Sequence, residues 1–380
     1  MMSKKSKSEL IETNRAGYLK ASRKEKQEKL DFLVESTGYN RKYLIRKLRH
    51  PRRSKSLKGP GRKQKYGGQV IVVLEQLWEW SGRICGKRLK PYLPELIRKA
   101  EKFGHLQLTD EIRKQLLSMS AATIDRRLHS ARFKTPGKGL CTTKPGALLK
   151  SQIPVRIFTP WDEEVPGFME ADLVAHCNDN VAGAYHYTLT VTDIATGWTE
   201  CIAIPGKTQK AVNQAISEIR SRLPFPLLGV DSDNGAEFIN DLFFRYCQSN
   251  HSSFTRCRPY KKNDQAHVEQ KNWSVVRHTV GYDRYTTEEE LNLLNQIYLV
   301  LHHYINFCQP MMKLIGKETV NNRIKKIYDL AKTPYRRILE SELLTDEIKS
   351  SIAEEYDLID PIQLWEQKNQ LTARILKIAG

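Results

Sequence analysis

Apolar residues recur at helical spacing within the first fifty residues of the chain. They follow this period between Ser22 and Ser36, and Ser22 with Glu25 matches a capping box. A turn at Gly38 precedes a second short helix over residues 41–49, whose apolar residues face one way and whose basic residues face another. The pattern predicts a helix-turn-helix in residues 1–50, although any two-helix pair with a basic outer face gives the same pattern.

A second helical block is predicted over residues 69–135. Its apolar period runs through VIVVLEQLWEW, KPYLPELIRKAEKF and DEIRKQLLSMS, and it ends in AATIDRRLHSARF, where Ser120 is expected to cap the last helix. Arg126 and Arg127 are expected to face outward from that helix. The block is therefore a second candidate helix-turn-helix, with the same purely structural alternative.

The pattern changes to short runs of β-branched and aromatic residues over residues 161–285. Turn signals divide this region into three strands, a helix, a strand, a helix, a strand and a helix, and TDIATGW predicts a hairpin. The helices are predicted near residues 207–223, 236–250 and 264–280. This order is typical of a mixed α/β domain. Residues 286–380 are predicted to be helical.

The charge of the chain indicates a polyanionic partner. Its formal net charge is +19 and its isoelectric point is near 9.5, for which nucleic acid is the simplest explanation. Between Arg41 and Lys65 twelve residues are Lys or Arg and none is acidic. Residues 51–68 are therefore predicted to be a basic linker that neutralises phosphates, and residues 136–160 a second linker. A basic surface for solubility or weak membrane association is the alternative.

Several classes of protein are disfavoured by the sequence. No stretch approaches the roughly 20 apolar residues of a membrane span, and the N-terminus lacks the apolar run of a secretory signal. We therefore expect no membrane partner and a cytoplasmic location. Seven cysteines are scattered without a CxxC pair or histidines at zinc-finger spacing, which favours reduced thiols and argues against zinc.

Three carboxylates in the α/β region are candidates for chemistry. Asp172 lies among apolar residues of the first strand, where an ionised group needs a cation or a partner. Asp233 ends the strand LLGVDSD before an Asn-Gly turn, and Glu269 lies where a basic loop runs into a helix. Asp231 is an alternative to Asp233, because both lie on one face of the strand. Asp264 is an alternative to Glu269 but resembles a helix cap, and Asp172 could instead be a buried structural acid.

This set resembles the catalytic core of retroviral integrases and of bacterial insertion-sequence transposases with a DDE motif. Thirty-five residues lie between Asp233 and Glu269, as in that family. The resemblance covers roughly residues 160–285 and implies an RNase H-like core, a mixed sheet flanked by helices. It would lie between N-terminal all-α helix-turn-helix domains and a helical C-terminal region. The zinc-binding module of retroviral integrases has no counterpart here, which favours the bacterial transposase branch.

The resemblance implies a polynucleotidyl transferase that binds the terminal inverted repeats of a mobile element. Two Mg²⁺ or Mn²⁺ ions would be held by the three carboxylates, with Asp172 bridging both. The expected partners are double-stranded DNA and further copies of the chain, as a homodimer or higher oligomer. The expected location is the cytoplasm of a bacterium, on the nucleoid when DNA is bound. A transposase-derived regulator and an RNase H-type nuclease without strand transfer are the alternatives.

Basic and amide residues are the candidates for contacts with the DNA backbone. Asn272 is an additional candidate near Glu269, and Glu170 is interpreted only as a strand residue on the face opposite Leu173. The predicted DNA-binding residues are Arg41, Lys42, Arg46, Arg52, Arg53, Arg62, Lys63, Lys65, Arg126, Arg127, Lys261, Lys262, Asn263 and Lys271.

Overall fold

The computed structural model describes residues 2–50, 66–133, 164–232, 246–247, 249–256, 266–320 and 323–379. The chain divides into two compact units, Met1–Lys65 and Tyr66–Gly380. The predicted linker 136–160 and most of the linker 51–68 lie outside the described residues. Among the described helices, none has the length and apolar character needed to cross a membrane.

The first unit contains three helices, α1 (Lys4–Lys20), α2 (Arg23–Thr37) and α3 (Arg41–Arg49). The capping box of Ser22 and Glu25 is confirmed, and Gly38 ends α2 with a φ of 69°, which glycine adopts without strain. The Asn40 side chain accepts from the backbone of α3, as expected for an N-cap. Leucines of α2 and α3 form a buried core with α1, a helix that the sequence pattern did not predict.

The predicted second helical block forms four helices, α4 (Gln69–Trp80), α5 (Gly86–Lys102), α6 (Asp110–Ser118) and α7 (Ala121–Phe133). Ser120 caps α7 as predicted, since its hydroxyl accepts from the backbone of Thr123 at 3.2 Å. Helices α5 and α7 pack tightly at Gly86, where a Cβ would collide with the carbonyl oxygen of Ala121. The four helices share one apolar core with the rest of the second unit.

A five-stranded mixed sheet lies at the centre of the second unit. Its strands are β1 (Phe168–Ala175), β2 (Tyr187–Asp193), β3 (Thr199–Ile204), β4 (Gly229–Ser232) and β5 (Ser253–Arg256). Their order across the sheet is β3-β2-β1-β4-β5, and β2 runs antiparallel to the other four. Helix α8 (Gln209–Arg222) joins β3 to β4 and packs against β2 and β3. The mixed α/β architecture predicted for this region is confirmed.

The helix predicted near residues 264–280 has three parts. An α-helix, α9 (Ala266–Lys271), leads into a π-helical segment, Asn272–Arg277, and then into a last turn, α10 (His278–Val280). Helix α9 packs against β1 and β2. Short π-helical segments within helices are frequent at functional sites. Most of the helix predicted near residues 236–250 lies outside the described residues.

The C-terminal region is not wholly helical, which corrects the prediction for residues 286–380. Four helices are present, α11 (Glu288–Cys308), α12 (Pro334–Glu340), α13 (Asp346–Leu358) and α14 (Pro361–Ala379). Between α11 and α12 the chain forms an antiparallel pair, β6 (Leu314–Val320) and β7 (Arg323–Tyr328). The reason is local, because LIGKETV and RIKKIY contain several β-branched residues, which favour strands.

Helix α11 covers the free edge of β3 through two asparagine side chains. The Asn306 amide accepts from the backbone N–H of Thr199 at 2.8 Å and donates to its carbonyl at 2.9 Å. Asn295 makes the same pair of bonds with Ala203, at 2.8 and 3.1 Å. These amides replace a neighbouring strand, so the edge of the sheet is paired rather than open.

A buried lysine joins α5 to the C-terminal helices. The Lys99 amine donates to the carbonyl oxygens of Tyr356, Asp357 and Ile359, where α13 ends. It therefore satisfies carbonyls that have no partner within the helix. Burial lowers the pKa of Lys99 from 10.5 to about 8, with Lys102 adding repulsion. The helical block and the C-terminal helices thus belong to one packed unit.

Candidate active site

Asp172 lies in β1, the central strand of the sheet, and is partly buried. Its Oδ2 accepts a hydrogen bond from the Asn272 side-chain amide at 2.6 Å. Its Oδ1 accepts from the backbone N–H of Leu173 at 2.8 Å. The carboxylate is therefore held in one orientation by two donors.

The bond from Asn272 connects the sheet to the helix that carries Glu269. Asn272 is the first residue of the π-helical segment, directly after α9. Glu269 lies three residues earlier in the chain, a separation that places side chains on the same side of a helix. Glu269 is exposed, whereas Asn272 is partly buried against Asp172. The bond from Asn272 thus joins β1, which contains Asp172, to the helix that contains Glu269.

Glu170 anchors the beginning of the same helix. It is 3% exposed and lies two residues before Asp172, on the same face of β1. Its Oε2 accepts from the backbone N–H groups of His267 and Val268, each at 2.9 Å. These N–H groups belong to the first turn of α9 and have no carbonyl partner within the helix, so the carboxylate satisfies them. Glu170 thereby fixes the start of α9 against β1.

Asp231, the alternative to Asp233, is buried in β4. Its Oδ1 accepts from the Thr255 hydroxyl on β5 at 2.6 Å, and its register partner on β1 is Glu170. A hydrogen bond between adjacent strands is the environment expected of a structural acid. Asp233 itself lies outside the described residues, and so does Asp264, the alternative to Glu269. Ser232, which precedes Asp233 in the chain, pairs with Ala171, the neighbour of Asp172.

Lys271 has surroundings that do not suit a phosphate contact. It is 9% exposed, and burial lowers the pKa of its amine to about 8, with repulsion from Arg88 adding to the effect. A lysine that contacts DNA must reach the surface, as it does in an exposed basic patch. Lys271 is the last residue of α9, and its amine is buried near Cys201 of β3.

The predicted DNA-binding residues of the two helical blocks have different surroundings. Arg41 forms an ion pair with Asp31 on α2, whereas Lys42 and Arg46 on α3 are exposed. Arg126 is exposed on α7, and Arg127 is half-buried. The remaining candidates lie outside the described residues: Arg52, Arg53, Arg62, Lys63, Lys65, Lys261, Lys262 and Asn263.

Sequence reasoning missed the structural tasks of two residues. Asn272 was expected to contact DNA, and Glu170 was interpreted as an ordinary strand residue, yet both hold the helix of Glu269 against β1. One local signal existed for Glu170, because strand alternation puts it on the same face as Asp172. No comparable signal existed for Asn272, whose partner lies 100 residues away in the chain.

Comparison with known proteins identifies the family of the chain. No protein-family model matches the sequence. Over 331 residues the chain is 40% identical to the uncharacterized protein y4rM of Sinorhizobium fredii (strain NBRC 101917 / NGR234), an alignment that covers 87% of this chain and 94% of that protein. The chain belongs to the y4rM family.

Solved structures similar to this y4rM-family protein include three from retroviral integration systems. The catalytic core domain of HTLV-2 integrase, in complex with magnesium, has a TM-score of 0.30 and 17% identity, covering 39% of this chain and 91% of that one. The catalytic core domain of BIV integrase has a TM-score of 0.31 and 18% identity, and the match covers 46% of this chain and 95% of that one. A chain of the simian T-cell lymphotropic virus intasome in complex with the PP2A regulatory subunit B56 gamma has a TM-score of 0.28 and 15% identity. The match covers 48% of this chain and 59% of that one.

Proposed function

We propose that this protein is a DNA transposase of the DDE type. It would bind the terminal inverted repeats of a mobile element and catalyse metal-dependent strand cleavage and strand transfer. The observation that supports this most strongly is the 2.6 Å hydrogen bond from Asn272 to Asp172, because it joins the strand of one predicted carboxylate to the helix of another. The mixed sheet with α9 packed on it provides the rigid support that a metal-dependent site requires.

The residues near Asp172 suit a hard divalent cation. Asp172 and Glu269 offer carboxylate oxygens, the ligand type that Mg²⁺ and Mn²⁺ prefer. The Asn272 Oδ1 is buried and has no hydrogen-bond partner among the described residues, which leaves an oxygen available beside the Asp172 carboxylate. Asp172, Asp233 and Glu269 would hold two such ions. Bound there, the ions would supply charge stabilisation for an in-line displacement at phosphorus.

The chemistry of the proposed reaction places two demands on the chain's own residues. In cleavage, a water oxygen forms a bond to phosphorus, the bond from phosphorus to the 3′ oxygen breaks, and a free 3′ hydroxyl results. In strand transfer, that hydroxyl attacks a phosphorus of the target strand and releases a target 3′ hydroxyl, so the number of phosphodiester bonds is unchanged. The first demand is that Asp172 must keep its orientation through both steps, which the donors on Asn272 and Leu173 promote.

The second demand is that Glu269 must stay close to the sheet during both steps. Glu170 meets it by accepting from the first turn of α9, the helix on which Glu269 lies. Substrate DNA would be positioned by the basic helical regions, which include the exposed Lys42, Arg46 and Arg126. We further propose that two or more copies assemble on DNA in the bacterial cytoplasm, since two element ends must be held together.

Charge-neutralising variants of the three carboxylates test the proposal. We expect Asp172→Asn, Asp233→Asn and Glu269→Gln each to reduce Mg²⁺-dependent cleavage of element-end DNA to background while end binding persists, because each variant removes a metal ligand but no DNA contact. Cleavage and joining are measured on labelled duplexes that carry the inverted repeats flanking the gene. Glu218→Gln, the same chemical change at an exposed acid on α8, is the matched control and should retain activity.

Other outcomes of this experiment would point elsewhere. Cleavage that persists in Asp233→Asn would overturn the assignment of this ligand and favour Asp231, which Asp231→Asn then tests. Hydrolysis without strand joining by the unmodified protein would indicate an RNase H-type nuclease. Binding without any cleavage would indicate a DNA-binding regulator.

A further inference from the structure

The antiparallel pair β6 (Leu314–Val320) and β7 (Arg323–Tyr328) is exposed along its length, and we call it the ribbon. Each strand packs mainly against the other. Five of its large apolar side chains are exposed: Leu314, Ile315, Val320, Ile324 and Tyr328. An isolated two-stranded pair is only marginally stable in water, and exposed apolar groups of this number usually mark an interaction surface.

The base of the ribbon is held firmly to the body of the protein. The backbone of Lys313 donates to the Asp329 carboxylate at 2.7 Å, and Asp329 forms an ion pair with Arg337 of α12, also at 2.7 Å. The Lys313 amine donates to the carbonyl of Ala195 in the β2–β3 turn at 2.6 Å. The ribbon therefore projects from a fixed base, and its exposed strands are presented in a defined direction rather than on a loose loop.

One face of the ribbon carries unbalanced positive charge. The register places Lys317 directly opposite Lys326, next to the pair Thr319 and Ile324. Like charges at directly opposed positions destabilise a strand pair. Neither lysine has an ion-pair partner among the described residues, whereas Lys325 on the other face lies 4.0 Å from Glu318. An anion that binds to the face with Lys317 and Lys326 would relieve this repulsion.

We propose that this face of the ribbon is a DNA-binding surface, with Lys317 and Lys326 contacting phosphates and Ile324 contacting base edges. The inference rests on the proposed DNA function and adds an element outside the predicted helix-turn-helix regions. A two-stranded ribbon fits the major groove of B-DNA, and apolar side chains contact thymine methyl groups there.

Charge favours DNA over a second copy of the chain as the occupant of this face. Residues 314–328 contain four basic residues and one acid, in a chain of net charge +19. If two copies met symmetrically through this face, Lys317 and Lys326 of one would lie against the same lysines of the other. That arrangement would add to the repulsion, whereas a DNA backbone would remove it.

The test compares affinities of full-length proteins for a random-sequence DNA duplex over a range of salt concentrations. For the double variant K317A/K326A we expect the slope of log affinity against log salt to fall by about 1.8, since each lost phosphate contact contributes roughly 0.9. The affinity near 0.1 M salt should fall by roughly tens of fold. K317R/K326R should bind as the unmodified protein does. Ile324→Ser should weaken binding to DNA without changing the salt slope, because it removes no charge.

Matched controls separate this inference from the proposed function. K210A/K377A removes two exposed lysines from helices α8 and α14, and it should leave the salt slope nearly unchanged. If the unmodified protein binds no duplex, the proposed function itself fails. If it binds and K317A/K326A matches it in affinity and slope, the ribbon is not a DNA contact. A change in sedimentation of K317A/K326A without a change in DNA affinity would instead assign the face to contacts between copies.

Discussion

At the scale of single residues, two carboxylates on one face of β1 have different tasks. Glu170 is buried and accepts from the first turn of α9, so it acts on the position of a helix. Asp172 is partly exposed and accepts a hydrogen bond of 2.6 Å from Asn272, the first residue of the π-helical segment. Glu170 is thus a structural acid, whereas Asp172, two residues later on the same face of the strand, is a candidate metal ligand.

Asn272 is expected to affect Mg²⁺-dependent cleavage by orienting the Asp172 carboxylate. Asn272→Ala removes the donor that orients this carboxylate, and substitutions at residues that orient metal ligands typically cost about 10–100-fold in activity or metal affinity. We expect Mg²⁺-dependent cleavage to fall within that range and its half-saturating Mg²⁺ concentration to rise. Gln270→Ala, at an exposed position of α9, is the control. Unchanged rate and Mg²⁺ dependence in Asn272→Ala, with normal circular dichroism in both variants, would contradict a positioning role.

His176 makes the stability of the fold depend on pH. It is buried beyond the end of β1, its Nε2 shares a hydrogen bond of 2.7 Å with Thr188, and burial lowers its pKa from 6.5 to about 3, with Arg277 adding to the effect. The folded chain therefore keeps His176 neutral where the unfolded chain binds a proton, so stability is lost as pH falls below 6.5. From about pH 7 to pH 5 this residue alone should lower the free energy of unfolding by about 2 kcal/mol.

Urea unfolding at both pH values checks this expectation. His176→Gln lacks the titrating group, so its stability should change less between the two pH values than that of the unmodified protein. His129→Gln, at an exposed histidine of α7, should behave as the unmodified protein does. An equal pH dependence in all three proteins would show that His176 titrates alike in the folded and unfolded chains.

At the scale of elements, the β3 edge of the central sheet and the position of α9 depend on side chains from other elements. The backbone of β3 forms hydrogen bonds with asparagines of α11, and the first turn of α9 donates to Glu170 of β1. The π-helical segment then begins at Asn272, the residue that reaches Asp172. The candidate active site thus lies where polar side chains join β1, α9 and the π-helical segment, in addition to the apolar packing between them.

Asn306 should be more important for stability than Asn295. Asn306 is fully buried, so Asn306→Ala would leave the N–H and the carbonyl of Thr199 without partners, at a cost of about 2–4 kcal/mol. Asn295 is partly exposed and water can replace its amide, so Asn295→Ala should cost about 1 kcal/mol. Denaturant unfolding of the two variants provides the comparison. Equal losses of stability in the two variants would contradict the view that the buried amide of Asn306 protects β3 more than the partly exposed amide of Asn295.

At the scale of the whole molecule, most of the net charge of +19 lies in the first compact unit, because residues 1–65 contain 21 Lys or Arg and 6 Asp or Glu. Exposed basic residues occur on α3 and α7, and the ribbon adds an unbalanced pair of lysines. The predicted domain boundaries and the assembly of several copies on DNA stay predictions. Lys99 shows why boundaries are difficult to place within the second unit, because its amine on α5 satisfies carbonyls at the end of α13.

The sequence by itself determined the features that depend on neighbouring residues in the chain. Helix α2 with its capping box, the hairpin around Asp193 and the strand of Asp172 follow from alternation, caps and turns, which are local signals. The burial of Lys271, the anchoring by Glu170 and the bond from Asn272 were decided only by the tertiary structure. Their partners lie on distant segments, and a local pattern contains no information about which segments will be adjacent.

The ribbon illustrates the same division within one element. Its β-branched residues are a local signal that favours strands, yet residues 286–380 were predicted to be helical. The pairing of Lys317 with Lys326 depends on strand register, and the exposure of both faces depends on the absence of packing from other described elements. Secondary structure is encoded mainly by residues close in the chain, whereas the surface that an element presents depends on everything packed around it.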